Sequence, residues 1–341
     1  MSKSRTLAAI IIASSLTVVA CSSGDTTTST PTAAQPAGNY PVTVDSCGNS
    51  VVVDRAPERA VALNQGITEI LLSMGLGDRV VGTATWTDPV LPELEKANET
   101  IPRLADNDAS LETVLATEPD LVAASFASTL SDGASGSFDS YARVGVPAYI
   151  AHSDCVKSRL GNDDGERGEK LGMDDIYRDI EDLGLLFDAP TAAQDLVNGL
   201  DARMTAVRAE GEPLTAAFWF ANSESPYMAG GYGAPQIIAD QLNLDNVFAD
   251  RTEEWPQINW EAVAQADPDV LVLGDLTRKS QTAETGDAKV EFLKNHPVAS
   301  QMSAVRNNRI IYVAGADMNP SIRTVDGAEK VAAGLRELGL R

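Results

Sequence analysis

Two α/β lobes, each built on a parallel sheet, are the fold this sequence predicts, and three observations carry the prediction. Ser110 to Ser125 (SLETVLATEPDLVAAS) and Asn259 to Asp275 (NWEAVAQADPDVLVLGD) share one pattern: a polar residue, Glu-x-Val, an acidic residue before Pro-Asp, then an apolar run. Strands alternate with helical patterns along the rest of the chain, as in α/β architectures. A length of 341 residues with 43% hydrophobic residues can fill two cores.

In each copy of the shared pattern, Ser110 or Asn259 is placed as the N-cap of a short helix. Glu112 or Glu261 then falls in the first turn, where the helix dipole favours an acid. The Pro-Asp ends the helix, because the residue before proline is pushed out of the helical region. The apolar run that follows has no polar alternation, which marks a strand buried on both faces.

The chain begins with an export signal over residues 1–20. Lys3 and Arg5 precede an apolar stretch from Leu7 to Ala13, too short for a membrane span, and small residues lead to Cys21. Val18-Val19-Ala20-Cys21 resembles a lipobox, so Cys21 is the expected lipidation site. Residues 21–39 are Ser, Thr, Pro, Ala and Gly with almost no large apolar side chain, a tether with no core to join.

The N-terminal lobe is expected over 40–170. Tyr40 to Val53 alternates around Cys47-Gly48-Asn49 as a β-hairpin does. Arg59 to Leu63 is a strand, Thr68 to Met74 a helix ended by Gly75 and Gly77, and Arg79 to Gly82 the next strand. Gly145 to Ile150 gives another, and His152 to Glu169 is an aperiodic loop. A helical connection spans 171–211: Met173 to Phe187 has its apolar face at Ile176, Ile180 and Leu183, and Thr191 to Arg208 continues with Leu196, Leu200 and Met204. At 1.5 Å per residue the second helix is about 27 Å long, enough to run along both lobes.

The C-terminal lobe, 212–341, repeats the theme. It has a strand at Ala216 to Phe220, a loop to Ala234, a helix from Pro235 to Leu242 and the second patterned unit. A partly helical connection begins at Glu291 to Lys294. A strand at Arg309 to Val313 and a helix ending at Leu338 close the chain.

Formal net charge is −23, and loss of Lys3 and Arg5 leaves 24 basic residues against 49 acidic, a net −25. Nucleic acid and anionic membrane surfaces are therefore poor partners. With Cys21 lipidated, Cys47 and Cys155 remain, and outside the cytoplasm a pair of thiols is usually a disulfide. The alternative is two separate buried thiols.

Ligands of open α/β sheets bind beyond the carboxyl ends of the strands. Those ends deliver Asn64, Gln65, Trp86, Ser125, Phe126 and His152, then Asn222 to Tyr232, Asp275 to Arg278 and Asp317 to Arg323. The aromatic and cationic members, Trp86, Tyr227, Tyr232, Arg278 and Arg323, are the candidate ligand contacts. Packing competes as an explanation for Trp86, and surface ion pairing for the two arginines. Only His152 and His296 could serve a histidine-based metal centre, and neither a P-loop nor a complete G-x-G-x-x-G is present. No nucleophile stands beside a base, so no catalytic residue, metal or cofactor is expected.

PVTVDSCGNSVVV, PERAVALNQGITEILLSMGLGDRVVG, SLETVLATEPDLV, INWEAVAQADPDVLVLGD and HPVASQMSAVRNNRIIYV, in that order, resemble the lipid-anchored substrate-binding proteins of ABC importers for ferric siderophores, cobalamin and haem. The resemblance covers the chain from about Tyr40 to its C-terminus. It implies the class III periplasmic binding protein fold: two Rossmann-like lobes with parallel sheets joined by a single long rigid helix, here Thr191 to Arg208, with ligand held between the lobes. It also implies that Glu112 and Glu261 dock onto arginines of an ABC permease. The expectation is an extracytoplasmic monomer, lipid-anchored to the cell membrane, that captures a small molecule. A ferric siderophore leads, because Arg278, Lys279 and Arg323 would offset a field that repels anionic chelates. Haem or cobalamin is the alternative ligand, and a surface lipoprotein enzyme the competing class.

Overall fold

The computed structural model describes residues 40–86, 88–155, 157, 165–277 and 284–341. The export segment, the tether, the lipidation site Cys21 and the candidate contact Arg278 lie outside them. No helix among the described residues is long and apolar enough to cross a membrane.

Strands β1 (Val42–Ser46) and β2 (Asn49–Val53) form the expected antiparallel hairpin. Its two turn residues, Cys47 and Gly48, both have left-handed φ, 54° and 78°, which matches the twist of the flanking strands. Cys47 is bonded to Cys155, so the hairpin is tied to the first lobe across 108 residues.

The first lobe holds β3 (Ala60–Leu63), β4 (Val80–Ala84), β5 (Arg103–Ala105), β6 (Leu121–Ala124) and β7 (Ala148–Ile150), all parallel in the order β5-β4-β3-β6-β7. Every residue of β3, β6 and β7 is buried, which is why these strands are apolar without alternation. Its helices are α1 (Gln65–Ser73), α2 (Glu95–Asn98), α3 (Leu111–Leu115), α4 (Phe138–Ala142) and α5 (His152–Cys155). The last of these falls where an aperiodic loop is expected; Asp154 within it accepts from Ala127 N at 2.7 Å, and the disulfide fixes its end.

Two helices make the connection, α6 (Met173–Leu186) and α7 (Pro190–Val207). The second is the long helix expected at Thr191 to Arg208. Near its start Arg79 Nη1 of the first lobe donates to Phe187 O at 2.9 Å, and near its end Ala209 N donates to Gln241 O of the second lobe at 3.1 Å. The two helices pack closely at Gly184, where an added Cβ would stand 2.5 Å from Ala193 Cβ.

The second lobe has β8 (Leu214–Ala221), β9 (Tyr227–Met228), β10 (Leu244–Asn246), β11 (Val270–Asp275) and β12 (Ile310–Ala314). The parallel order is β10-β8-β11-β12, with β9 antiparallel on β8. Its helices are α8 (Ala234–Gln241), α9 (Trp260–Ala266), α10 (Gly286–Asn295), α11 (Ser303–Arg306) and α12 (Arg323–Glu337). Arg203 of α7 reaches α12 through Asp326 at 2.8 Å and Glu329 at 2.7 and 2.9 Å.

The patterned units are the same substructure in both lobes. Ser110 Oγ accepts from Thr113 N at 3.2 Å, and Asn259 Oδ1 from Ala262 N at 2.8 Å, so both are N-caps. Asp267 is the C-cap of α9 and Glu118 follows the two turn residues after α3; both are left-handed, φ 42° and 51°, immediately before proline. The following aspartates clip the central strand. Asp120 accepts from Glu58 N and Arg59 N, both at 2.9 Å, ahead of β3, and Asp269 accepts from Thr215 N and Oγ1, both at 2.9 Å, in β8.

One buried carboxylate links α5 to α6. Asp179 accepts from Ser153 N at 3.2 Å, and burial pushes its pKa from 3.8 up to about 7, against those hydrogen bonds. Between about pH 4 and about pH 7 the native state therefore keeps a proton that the unfolded chain has lost, so this group's contribution to stability falls as pH rises through that window and is constant above it. Asp179→Asn removes that slope. Urea midpoints measured at about pH 4.5 and 7.5 should move in the variant's favour at the higher pH; a difference from wild type that is the same at both would contradict the assignment.

Candidate functional site

The cleft between the lobes starts from strain at two strand ends of the first lobe. Asn64, directly after β3, has φ 76° and ψ 149°, a region nearly confined to glycine. Its surroundings over-determine it: Asn64 N donates to Ala84 O at 2.9 Å, its Oδ1 accepts from Ser125 N at 3.0 Å, and its Nδ2 donates to Thr129 Oγ1 at 3.0 Å. One residue, through its backbone N–H and its side chain, thus joins the carboxyl ends of β3, β4 and β6. Thr85, after β4, is left-handed at φ 57°, and its Oγ1 donates to Asp108 Oδ1 at 3.3 Å.

Opposite these ends stand Ala316 to Arg323, which follow β12. Together the two lobes enclose a cavity of about 370 Å³. Its lining comes from Asn64, Gln65, Gly66, Glu69, Thr85, Asp108, Ser125, Phe126, Ser128 and Thr129 on one side and Ala316, Asn319, Pro320, Ser321 and Arg323 on the other. Gly66 allows the close approach, since a Cβ there would lie 3.2 Å from Ser321 Cβ and 3.0 Å from Ser125 Oγ.

Charge contacts tie the lobes across the cleft. Arg323 binds Glu69 in bidentate fashion, Nε to Oε2 at 2.7 Å and Nη2 to Oε1 at 2.5 Å, and Nη2 also donates to Pro89 O at 2.6 Å. Glu69 Oε1 accepts further from Gln65 Nε2 at 3.0 Å and Leu91 N at 3.1 Å. Asp88 takes Ala316 N at 2.7 Å on one oxygen and Thr277 Oγ1 at 3.3 Å on the other. A second cluster centres on Glu254, 2.6 Å from Lys157 and 3.2 Å from Arg167, with Asp154 2.8 Å from Lys157. Burial would raise the Glu254 carboxyl, but Lys157 and Arg167 together hold it below its usual range.

Of the residues expected to touch ligand, Arg323 lines the cavity, with its charge engaged by Glu69. Trp86 is buried outside the lining, and Arg103 lies over its ring at 3.9 Å. Tyr227 sits in β9, bridged to Gln257, and Tyr232 accepts from Leu171 N at 3.1 Å; neither lines the cavity. His152 is 3.5 Å from Asp175. Glu112 and Glu261 are exposed in the first turns of α3 and α9, well separated in the chain but matched in local structure. Strand-end reasoning reaches Asn64, Gln65, Ser125, Phe126 and the segment holding Asn319, Pro320 and Ser321, whereas Glu69, Asp108 and Thr129 go unnoticed in it. A signal for one of them exists: Gln65 and Glu69 are polar at i and i+4 in a mainly apolar helix, a spacing that puts both on one face.

Comparison with known proteins agrees with this geometry. The family model described as periplasmic binding protein matches residues 61–315. An uncharacterized ABC transporter substrate-binding lipoprotein of Bacillus subtilis is 23% identical over 306 residues, 86% of this chain and 85% of its own. A vitamin B12-binding protein of Vibrio parahaemolyticus is 26% identical over 279 residues, 80% and 88% of the two chains. The crystal structure of an ABC-type Fe3+-hydroxamate transport system from Saccharomonospora viridis superposes with a TM-score of 0.72 at 28% identity, over 87% of this chain and 99% of that one. A parallel two-lobed fold, a polar cavity between the lobes and a family match across three quarters of the sequence lead to one conclusion: the chain belongs to the periplasmic binding protein family, among the substrate-binding proteins of ABC transporters and not among enzymes.

Proposed function

We propose that this protein captures a ferric siderophore of the hydroxamate type outside the cytoplasm and delivers it to an ABC permease. It acts as a monomer held at the membrane by a lipid on Cys21, with Glu112 and Glu261 as its contacts to the permease. One observation carries the ligand choice: among the described lining residues Phe126 is the sole aromatic side chain, and the others are amides, hydroxyls, small residues and charges. Such a lining matches the oxygen-rich surface of a chelate better than the wide apolar faces of a macrocycle. A volume of about 370 Å³ falls at the small end of ligand sites, about 300 to 1,000 Å³. The 28% identical Fe3+-hydroxamate neighbour supports the same choice. Cobalamin is the second reading, favoured by the vitamin B12-binding relative.

The test is tryptophan quenching of the unacylated chain, Cys21→Ser, by a ferric trihydroxamate, cobalamin and haemin. Submicromolar quenching by the hydroxamate is expected. Quenching by cobalamin alone would establish the second reading, and by haemin alone would overturn both.

A further inference from the structure

Among the described residues the cleft's cations are matched by carboxylates, and its carboxylates are in excess. Arg323 is bound by Glu69, and Lys330 by Asp317 at 2.6 Å. Lys157 pairs with Glu254 and Asp154, and Arg167 with Glu254. Asp108 has no cationic partner among the described residues, and Asp88 makes no ion pair there, although it lies close enough to Arg323 to favour the charged guanidinium. Asp88 is satisfied by a backbone N–H and a hydroxyl, while Asp108 is an exposed lining residue whose described contact is the Thr85 hydroxyl.

We infer that the cleft selects ferric chelates of neutral or positive net charge against anionic ones, and that Asp108 at its rim sets much of this preference. The inference rests on the ferric-chelate reading and narrows it. The one cation among the described lining residues, Arg323, is already bound by Glu69, so an anionic group placed against that lining loses its hydration without gaining a counter-charge from it. The same ligand must also approach through the field of a chain with a large acidic excess. A cationic group at the rim gains the Asp108 carboxylate instead. At the effective dielectric of a protein surface, one unit charge within several ångströms changes affinity by about tenfold or more, and salt weakens the effect.

The experiment uses the Cys21→Ser chain and the ferric complexes of one linear trihydroxamate in three forms. Its terminal amine is free and cationic, acetylated and neutral, or succinylated and anionic. Dissociation constants are expected to rise by about tenfold or more from the cationic to the anionic form at low salt, and this ratio should contract as salt is raised. Asp108→Asn narrows the ratio by about threefold or more, and Asp108→Lys reverses its direction. Equal or tighter binding of the anionic form by the wild-type chain overturns the charge preference while leaving the ferric-hydroxamate reading intact. A preference unaltered in both Asp108 variants overturns the role of that residue. Binding of none of the three forms overturns the hydroxamate reading itself, and the inference with it.

Discussion

Cells carrying Glu112→Lys together with Glu261→Lys should lose uptake by about a hundredfold or more, while the purified variant binds ligand as tightly as wild type. The expectation comes from how the two carboxylates are presented. Each occupies the first turn of a short helix, α3 or α9, behind a side-chain N-cap, and each helix leads through a left-handed residue and Pro-Asp into a buried strand. The two mountings share this plan, so an exposed carboxylate is presented in the same local setting on each lobe. A permease that reads both can orient the cleft over its entrance, and loss of one partner of a close interfacial charge pair costs about 2 to 5 kcal/mol. The local cost to the helices is smaller, a few tenths to about 1 kcal/mol for an acid at a helix N-terminus. Single reversals should each impair uptake less than the double. The paired variant Glu112→Gln and Glu261→Gln, which removes charge without adding repulsion, should also fail to transport. Weakened ligand binding in either double variant would place the two residues in the site and sink the docking assignment.

The fold was legible where burial imposes a pattern. Strands β3, β6 and β11 are apolar runs because both of their faces are covered, and the hairpin turn at Cys47-Gly48 needs left-handed residues. Two short elements held by a single neighbour were not legible. Strands β5 and β10 have three residues each, lie at sheet edges, and are placed by register against β4 and β8, with no periodicity of their own. The site was half legible for a related reason. Topology says that ligands gather beyond strand ends, which picks out Asn64, Gln65, Ser125 and Phe126. What each side chain does there depends on contacts across the fold. Arg323 has the chemistry of an anion receptor, but its carboxylate partner lies 254 residues away in sequence. Trp86 has the chemistry of a stacking platform, but packs in the interior beneath Arg103. Neither pairing leaves a trace in local sequence.

Arg323→Met should lower the stability of the folded chain by about 3 to 5 kcal/mol, the range for removing one partner of a buried ion pair. Glu69 is 0% exposed and Arg323 4%, so among the described residues the remaining carboxylate would keep Gln65 Nε2 and Leu91 N as donors, and Pro89 O would lose one of its two donors and keep Gln65 Nε2 at 3.1 Å. Adding Glu69→Gln removes the stranded charge, and the double variant should recover more than half of the loss. The coupling energy from urea unfolding should then exceed about 1 kcal/mol, as expected for residues in one network. Additive effects would show that the two side chains do not act together. The pair also joins the lobes, since Glu69 belongs to α1 in the first lobe and Arg323 opens α12 in the second. Its loss should therefore broaden the transition or split it in two, as the lobes cease to unfold as a unit. Ligand titration separates this role from the one that the residue's chemistry first suggests. If Arg323 chiefly recognised ligand, Arg323→Met would weaken binding and leave the unfolding midpoint in place; as a latch between the lobes it moves the midpoint, and Glu69→Gln restores part of the shift without any ligand present.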